Sequence, residues 1–462
     1  METNEKKLSM KGKLSYGLGA VGKDMVYMLS ASYVLYYYQD LLHIDAVAMG
    51  IILLIARVFD AFNDPIMGVI VAKTKTKWGK FRPWLFSGTL LNAIVLYALF
   101  ATPTSLKGGA LIAYAAIIYI LWGVTYTMMD IPFWSMVPAF TEPGADRENT
   151  SAFARSCSGV GSALISIFTM MCVYSLGSGN EIVGFKWFGL IIALFFVVFE
   201  TIACINIKET STVDMETASV KDMFKSLFAN DQALAIVVTI VIVNLSIYIT
   251  SNLLIYFFKY DFGGANWYKS YTVFNTFGGA MQILAMMLLF PLLRKFMSTM
   301  KIFMLSLMMA IVGYIVLLAL TFTSMNNVAL LFIPGFLIFA ANGMLMVLTT
   351  IFLANTVDYG EYKNGRRDES VIFSMQTFVV KLASGVAALV AALALAIFHF
   401  GNSSQSAHVV KMATSSIVGL RMTMTIIPII GLVFGILFFK KKYILTAEKM
   451  DEITKKIKNK EA

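Results

Sequence analysis

Asp60 and Asp64 stand four residues apart in RVFDAFNDPIMG, residues 57–68 of a 462-residue chain, with Asn63 beside them and Arg57 one turn earlier. Four residues is about one helical turn, so both carboxylates share a helix face, and like charges side by side in an apolar helix need a reason to be there. Carboxylate, amide and hydroxyl oxygens are the ligands of a hard cation, and Asp60, Asn63 and Asp64, with Thr127 further along the chain, supply all three. A second set differs in chemistry. Asp24, Asp130 and Arg155 can hydrogen-bond neighbouring hydroxyl groups, and Trp134 offers a flat apolar face. That combination suits a sugar ring, with polar edges and a C–H face.

The same pattern recurs on other stretches at helical spacing. Gly123, Thr127, Asp130 and Trp134 superimpose on one stripe, as do Ser151, Arg155, Ser158 and Ser162. Ser374, Thr377, Lys381 and Gly385 form another with Gln376 beside it, and Lys23 and Asp24 are followed by Tyr27 one turn on. Four acids (Asp24, Asp60, Asp64, Asp130) thus meet four bases (Lys23, Arg57, Arg155, Lys381), so mutual pairing that merely holds helices together is one reading. Each such group inside a membrane span costs about 2.5–3.5 kcal/mol on insertion scales, and buried ion pairs are a poor source of stability. A polar ligand site explains them better.

The elements that position these residues are membrane helices. The chain is 58% hydrophobic and 14% charged, with a mean hydropathy of +0.75, against about 45–50% and about 25% for soluble domains. The fold class expected is an all-α membrane protein of twelve transmembrane helices in two six-helix halves, with spans at 14–42, 47–72, 84–101, 109–139, 150–174, 184–206, 234–258, 270–293, 300–321, 328–355, 370–398 and 413–439. The corresponding domains are an amino-terminal tail (1–13), a first bundle (14–206), a middle loop (207–233), a second bundle (234–439) and a tail (440–462). Two six-span halves joined by a long polar connection suggest parallel repeats.

With both termini cytoplasmic, inner segments hold 27 of the 37 basic residues and outer loops five. That asymmetry sets the expected orientation. The formal net charge of +10 then faces anionic lipid, with no nucleic-acid partner. The polar start METNEKKLSMKGK reads as a tail and not a signal peptide. Cys157, Cys172 and Cys204 read as buried small hydrophobes; His43, His399 and His408 are too scattered for a metal site. No phosphate-binding loop occurs, the nearest text being GGANWYKS, and no nucleophile–base pairing or cofactor motif appears. The expectation is no enzyme and no cofactor, with any uphill transport driven by an ion gradient.

KLSYGLGAVGKD, ARVFDAFNDPIMG, KWGKFRPW, YILWGVTYTMMDIPFWSMVP, VDYGEY and QTFVVK occur in this order. Through them nearly the whole chain resembles the glycoside–pentoside–hexuronide:cation symporters of the major facilitator superfamily, most of all their melibiose permease branch. The resemblance implies a Na⁺, Li⁺ or H⁺ site at Asp60, Asn63, Asp64 and Thr127. It implies a sugar pocket lined or bordered by Lys23, Asp24, Asp130, Trp134, Arg155, Gln376, Thr377 and Lys381. DIPFW and the Lys-Asp pair point to the galactoside branch, while Met346 replaces a tryptophan that the melibiose permeases carry near the sugar. The protein so implied is a monomeric symporter of a bacterial inner membrane. It would import a glycoside by alternating exposure of one cavity, with Lys381 or a cation between the two aspartates. A proton-coupled pentoside or hexuronide symporter is the alternative, and an ion-coupled lipid transporter of the same fold a remote one. KWGKFRPW and DYGEYKNGRRDE read as cytoplasmic loops whose charges latch a gate or simply anchor the chain, and the charged tail KKKYILTAEKMDEITKKIKNKEA as solvated or lying on the membrane surface.

Overall fold

The computed structural model describes residues 9–141, 145–209, 220–264, 266–323, 327–365, 369–400 and 412–461, and these are helical with no strand among them. The first residues of the amino-terminal tail, the centre of the middle loop, Arg366 to Asp368, His408 and the side chain of Ser374 lie outside the described residues. Twelve long helices are present among the described residues. In the first half they are α1 (Met10–Leu35), α2 (Ala46–Lys73), α3 (Arg82–Phe100), α4 (Gly108–Ser135), α5 (Ala145–Leu176) and α6 (Glu181–Asn206). The second half contributes α7 (Asp231–Tyr256), α8 (Trp267–Leu284), α9 (Thr299–Thr321), α10 (Phe332–Asn364), α11 (Glu369–Ile397) and α12 (Thr414–Lys442). Eleven of these stretches are long and apolar enough to cross a membrane. The remaining one, α1, has 26 residues but interrupts its apolar run with Lys23 and Asp24.

Two compact units, Met1–Thr217 and Ala218–Ala462, make up the chain. Within the first, α1 packs on α5 and α6, α2 on α4, and α3 on α4 and α6. Within the second, α7 packs on α11 and α12, α8 on α10, and α9 on α10 and α12. Each of these pairings in one unit recurs in the other with the helix numbers raised by six. The repeat also shows at the ends of the leading helices: α1 runs into a π-helical turn at Tyr36–Leu41 and α7 into one at Phe257–Phe262, each with aspartate as its fifth residue. The second of these, Asp261, is gripped by the Arg421 guanidinium of α12 through bonds of 2.6 and 2.8 Å.

Sidedness follows the membrane rule. On α2, Ile51, Ile55, Phe59, Phe62 and Ile66 are exposed, whereas Arg57 and Asp60 are buried. Polar residues therefore face the interior of the unit and apolar ones face outward, as lipid requires. Helix starts are capped by short polar side chains, with Asp45 accepting from the Ala48 N–H (2.9 Å) and Asn230 from that of Ala233 (3.0 Å). The start of α3 is held differently. The Glu209 carboxylate, just beyond α6, accepts the backbone N–H groups of Lys80 (2.6 Å), Phe81 (3.0 Å) and Arg82 (3.0 Å). An anion at a helix N-terminus is the favourable place for one, and here it pins KWGKFRPW inside its own unit. In the second unit Lys363 pairs with Asp231 at 2.5 Å, and the Tyr359 hydroxyl donates to the same carboxylate (3.2 Å). This ties the VDYGEY end of α10 to the start of α7, and with both partners about half exposed it contributes little stability.

Three expected boundaries shift most. The helix α10 runs on to Asn364, past the expected 355, so DYGEYKN, expected as part of a loop, is helix. The span expected to run to 139 stops at Ser135, three residues after Pro132, and a short helical turn, Val137–Phe140, follows. The next helix starts at Ala145, five residues before the expected 150. Among the cysteines only Cys204 is buried; Cys157 and Cys172 are intermediate, and all three are free thiols.

The α1–α5 contact is close because Gly161 has no side chain: a Cβ there would collide with the Val21 carbonyl oxygen, a backbone atom that cannot swing aside. Gly161→Ala should destabilise the protein by about 1–3 kcal/mol, the usual cost of overpacking. Thermal unfolding in detergent would register this as a lowered midpoint; an unchanged midpoint would mean that the two helices are not held this closely.

Candidate functional site

Four helices of the first unit bring the charged stripes together. On α1, the Lys23 ammonium is buried and makes three contacts: Asp24 at 2.9 Å, Asp130 of α4 at 2.6 Å and the Tyr126 hydroxyl at 3.1 Å. One cation thus serves two carboxylates, and about a fifth of each carboxylate side chain is exposed. The Ser158 hydroxyl of α5 donates to the other oxygen of Asp24 at 2.6 Å, drawing in a third helix. Arg155, one turn before Ser158, lays its guanidinium over the Trp134 ring, 3.8 Å from the centroid, and the Lys23 ammonium lies 5.1 Å from the same centroid. Lys23, Asp24, Asp130, Trp134 and Arg155 are therefore one cluster, and Trp134 faces it. The tryptophan is not an outward interface anchor.

The aspartate pair lies on the other flank of α4. Asp60 is buried and receives a charge-assisted hydrogen bond from Arg57 on the preceding turn at 3.3 Å. Arg57 also donates to the Tyr119 hydroxyl of α4 at 3.1 Å, and its guanidinium lies 5.8 Å from the Tyr27 ring centroid. Arg57, a partner in its own helix, is one charge facing Asp60. Thr127 of α4 donates to Asp64 at 2.9 Å. Gly123, one turn before Thr127, leaves room for Asp60 Oδ1, which a Cβ at that position would strike. Asn63 stands partly buried between the two acids in the chain. Pro65 follows Asp64 inside α2 and cannot donate to the carbonyl of Ala61, so the backbone is relieved of one bond where the two acids sit. Asp60 and Asp64 of α2 thus face Gly123 and Thr127 of α4.

Gln376, Thr377 and Lys381 stand on α11 of the second unit, Thr377 exposed and the other two partly buried. Met346 on α10 is exposed, and the Gln282 amide of α8 approaches its sulfur at 3.2 Å.

Three contributors escape a reading of charged residues alone. Tyr119 and Tyr126 hold the two cations by their hydroxyls, yet in an apolar helix they pass for hydrophobic bulk. Their signal was available: Tyr119 continues the Gly123–Thr127–Asp130 stripe one turn earlier, and Tyr126 adjoins Thr127. The third is Glu200, a further acid within a span and buried on α6. A count of ionisable residues inside 184–206 would have found it.

Residues 15–444 match the family described as MFS/sugar transport protein. The chain belongs to this family of membrane transporters, and it is not an enzyme. It is 27% identical to the raffinose carrier protein of Pediococcus pentosaceus over 96% of this chain and 70% of that one. It is 26% identical to the inner membrane symporter YicJ of Escherichia coli K12, over 97% and 95%. Its identity to the isoprimeverose transporter of Lactiplantibacillus pentosus is 26%, over 93% and 88%. Among solved structures, a bacterial homologue of the human lysosomal transporter Spinster, inward-facing and unoccupied, superposes with a TM-score of 0.69 at 12% identity, covering 95% of this chain and 97% of that one. The fold is that of the major facilitator superfamily.

Removing Lys23 leaves two carboxylates facing each other without their shared cation. Lys23→Met should destabilise the protein by up to about 3–5 kcal/mol, the range for orphaning a buried charge. Adding Asp130→Asn should restore part of the loss. Denaturation of both variants would show this, and equal stability of the single and double variants would mean that Lys23 and Asp130 are not coupled.

Proposed function

We propose that this transporter imports a small glycoside, a galactoside such as melibiose, by symport with Na⁺, Li⁺ or H⁺. The observation that carries the reading is the double use of α4. Its Tyr119, Gly123 and Thr127 meet the acids and Arg57 of α2, while Tyr126, Asp130 and Trp134 meet α1 and α5. Thr127 and Asp130 are three residues apart, so an ion on one flank and a ligand on the other act on a single helical turn. Coupling of this kind is reciprocal: occupancy by the cation favours the sugar and the sugar favours the cation. Downhill cation entry then drives uphill sugar entry.

In this reading Asp60, Asn63, Asp64 and Thr127 supply the oxygens for the coupling ion. Asp24, Asp130 and Arg155 bind sugar hydroxyls, Lys23 fixes the two carboxylates, and Trp134 receives the apolar face of the ring. Gln376, Thr377 and Lys381 are proposed as further sugar-binding residues of the second unit. Both termini lie in the cytoplasm, as the placement of lysine and arginine supports, and the protein works as a monomer in a bacterial inner membrane. The similarity to an isoprimeverose transporter supports a second reading, a proton-coupled pentoside symporter.

Counterflow of a panel of labelled glycosides and pentosides in vesicles, with Na⁺, Li⁺ or only H⁺ present, separates the two. Stimulation of galactoside exchange by Na⁺ or Li⁺ is the expected result; indifference to both ions at every pH would leave the proton-coupled reading.

Two variant sets test the assignment of residues. Asp130→Ala and Arg155→Ala should abolish sugar binding while Na⁺ binding, followed by calorimetry, survives; loss of both ligands together would make the cluster a structural one. Asn63→Ala should lose Na⁺ stimulation but keep some H⁺-driven uptake, because both carboxylates remain. Asp64→Asn should lose concentrative uptake with either ion. Retention of Na⁺ stimulation in Asn63→Ala would remove the amide from the ion site.

A further inference from the structure

We propose that Glu200 on α6 is a proton-binding site of the first unit, separate from the cation set on α2 and α4. Its side chain is 1% exposed, and neither carboxylate oxygen has a hydrogen-bond partner among the described residues. Space for the carboxyl is made by Gly19 of α1, where a Cβ would lie 3.1 Å from Glu200 Oε2, 3.1 Å from the Phe133 ring of α4 and 3.2 Å from the Ala203 methyl. The surroundings are an apolar wall in which an ionised carboxylate has no donor to replace water, whereas a neutral acid gives up far less.

The charged and titratable groups facing it are few. Tyr16 and Lys23 stand on α1, Asp130 on α4 and Cys204 one turn along α6; Arg155 of α5 acts on Tyr16, and Arg82 of α3 and Glu209 act on Cys204. None forms an ion pair or hydrogen bond with Glu200 among the described residues. Tyr16 spends its hydroxyl on the Phe133 carbonyl (2.5 Å), and Lys23 is engaged by Asp24, Asp130 and Tyr126. Proton occupancy at Glu200 therefore leaves Lys23 to the Asp24–Asp130 clamp. Loss of the proton puts a third negative charge in competition for the same ammonium. The inference rests on the clamp geometry and not on which sugar or ion is carried.

The test is infrared spectroscopy of the full chain in lipid nanodiscs, grown with carboxyl-¹³C glutamate. At neutral pH the wild-type protein should show a protonated-carboxyl carbonyl band that moves with the glutamate label. The band should vanish in Glu200→Gln, and in Glu200→Leu, which matches the apolar wall, should the amide not be accommodated. Across the pH range in which the wild-type band disappears, sugar affinity should change in the wild type and stay flat in Glu200→Gln. Absence of a labelled band in the wild type at neutral pH overturns the proposal without recourse to any variant. A band that persists in either variant overturns it equally, and since the readout is protonation, failure of the symport reading would leave the result standing.

Discussion

A buried ammonium group in a lipid-facing bundle must be answered at hydrogen-bond distance, and Lys23 is answered by two carboxylates and a phenol. The requirement propagates. Asp130 has to be presented by α4 at the height of Lys23, and Asp24, the neighbour of Lys23 on α1, has to meet the Ser158 hydroxyl of α5. Neither is possible unless α1 lies close against its partners, and close packing is what Gly161 and Gly19 permit. Electrostatics thus dictates the helix spacing, and small residues supply it. In a soluble protein the apolar core would dominate. Within a bilayer lipid tails are as apolar as leucine, so packing and polar contacts between helices decide the arrangement.

The arrangement divides labour between two kinds of charge. Arg57 meets Asp60 within a single helix, three residues apart, so that pair can travel as a unit. Lys23 bridges two helices, so that pair resists their separation. Tyr119 and Tyr126 extend α4 toward both.

Much of the site was legible because helical periodicity is a rule about angles. Stripes such as Gly123–Thr127–Asp130–Trp134 superimpose whatever surrounds them, and Lys23, Asp24, Asp130, Trp134 and Arg155 do converge. The composition likewise left only a helical membrane fold. What stayed hidden depended on distance in the chain or on residue types with two meanings. Glu209 reaches back to Lys80, Phe81 and Arg82 across more than a hundred residues, and no local pattern announces it. Tyrosine counts as apolar until its hydroxyl is seen to hold a guanidinium. The repeat, faint when the halves are compared letter by letter, is plain once helix pairings are compared, since packing preserves geometry after side chains have diverged.

The Arg155–Trp134 stack bears on timing. For a sugar ring to use the tryptophan face that Arg155 occupies, the guanidinium must first lift away. The cation–π attraction it gives up is worth about 0.5–2 kcal/mol, and the C–H face of the ring offers the tryptophan an attraction of similar kind in return. The exchange therefore adds little to affinity. On the proposed assignment it adds a step to association, and by microscopic reversibility the same step lies on the path out. Two ligands of equal affinity can then differ in residence time according to whether each recruits the displaced Arg155 to its own hydroxyls. On the proposed assignment the stack governs the timing of exchange, while the carboxylates and the released guanidinium set the depth of the binding well.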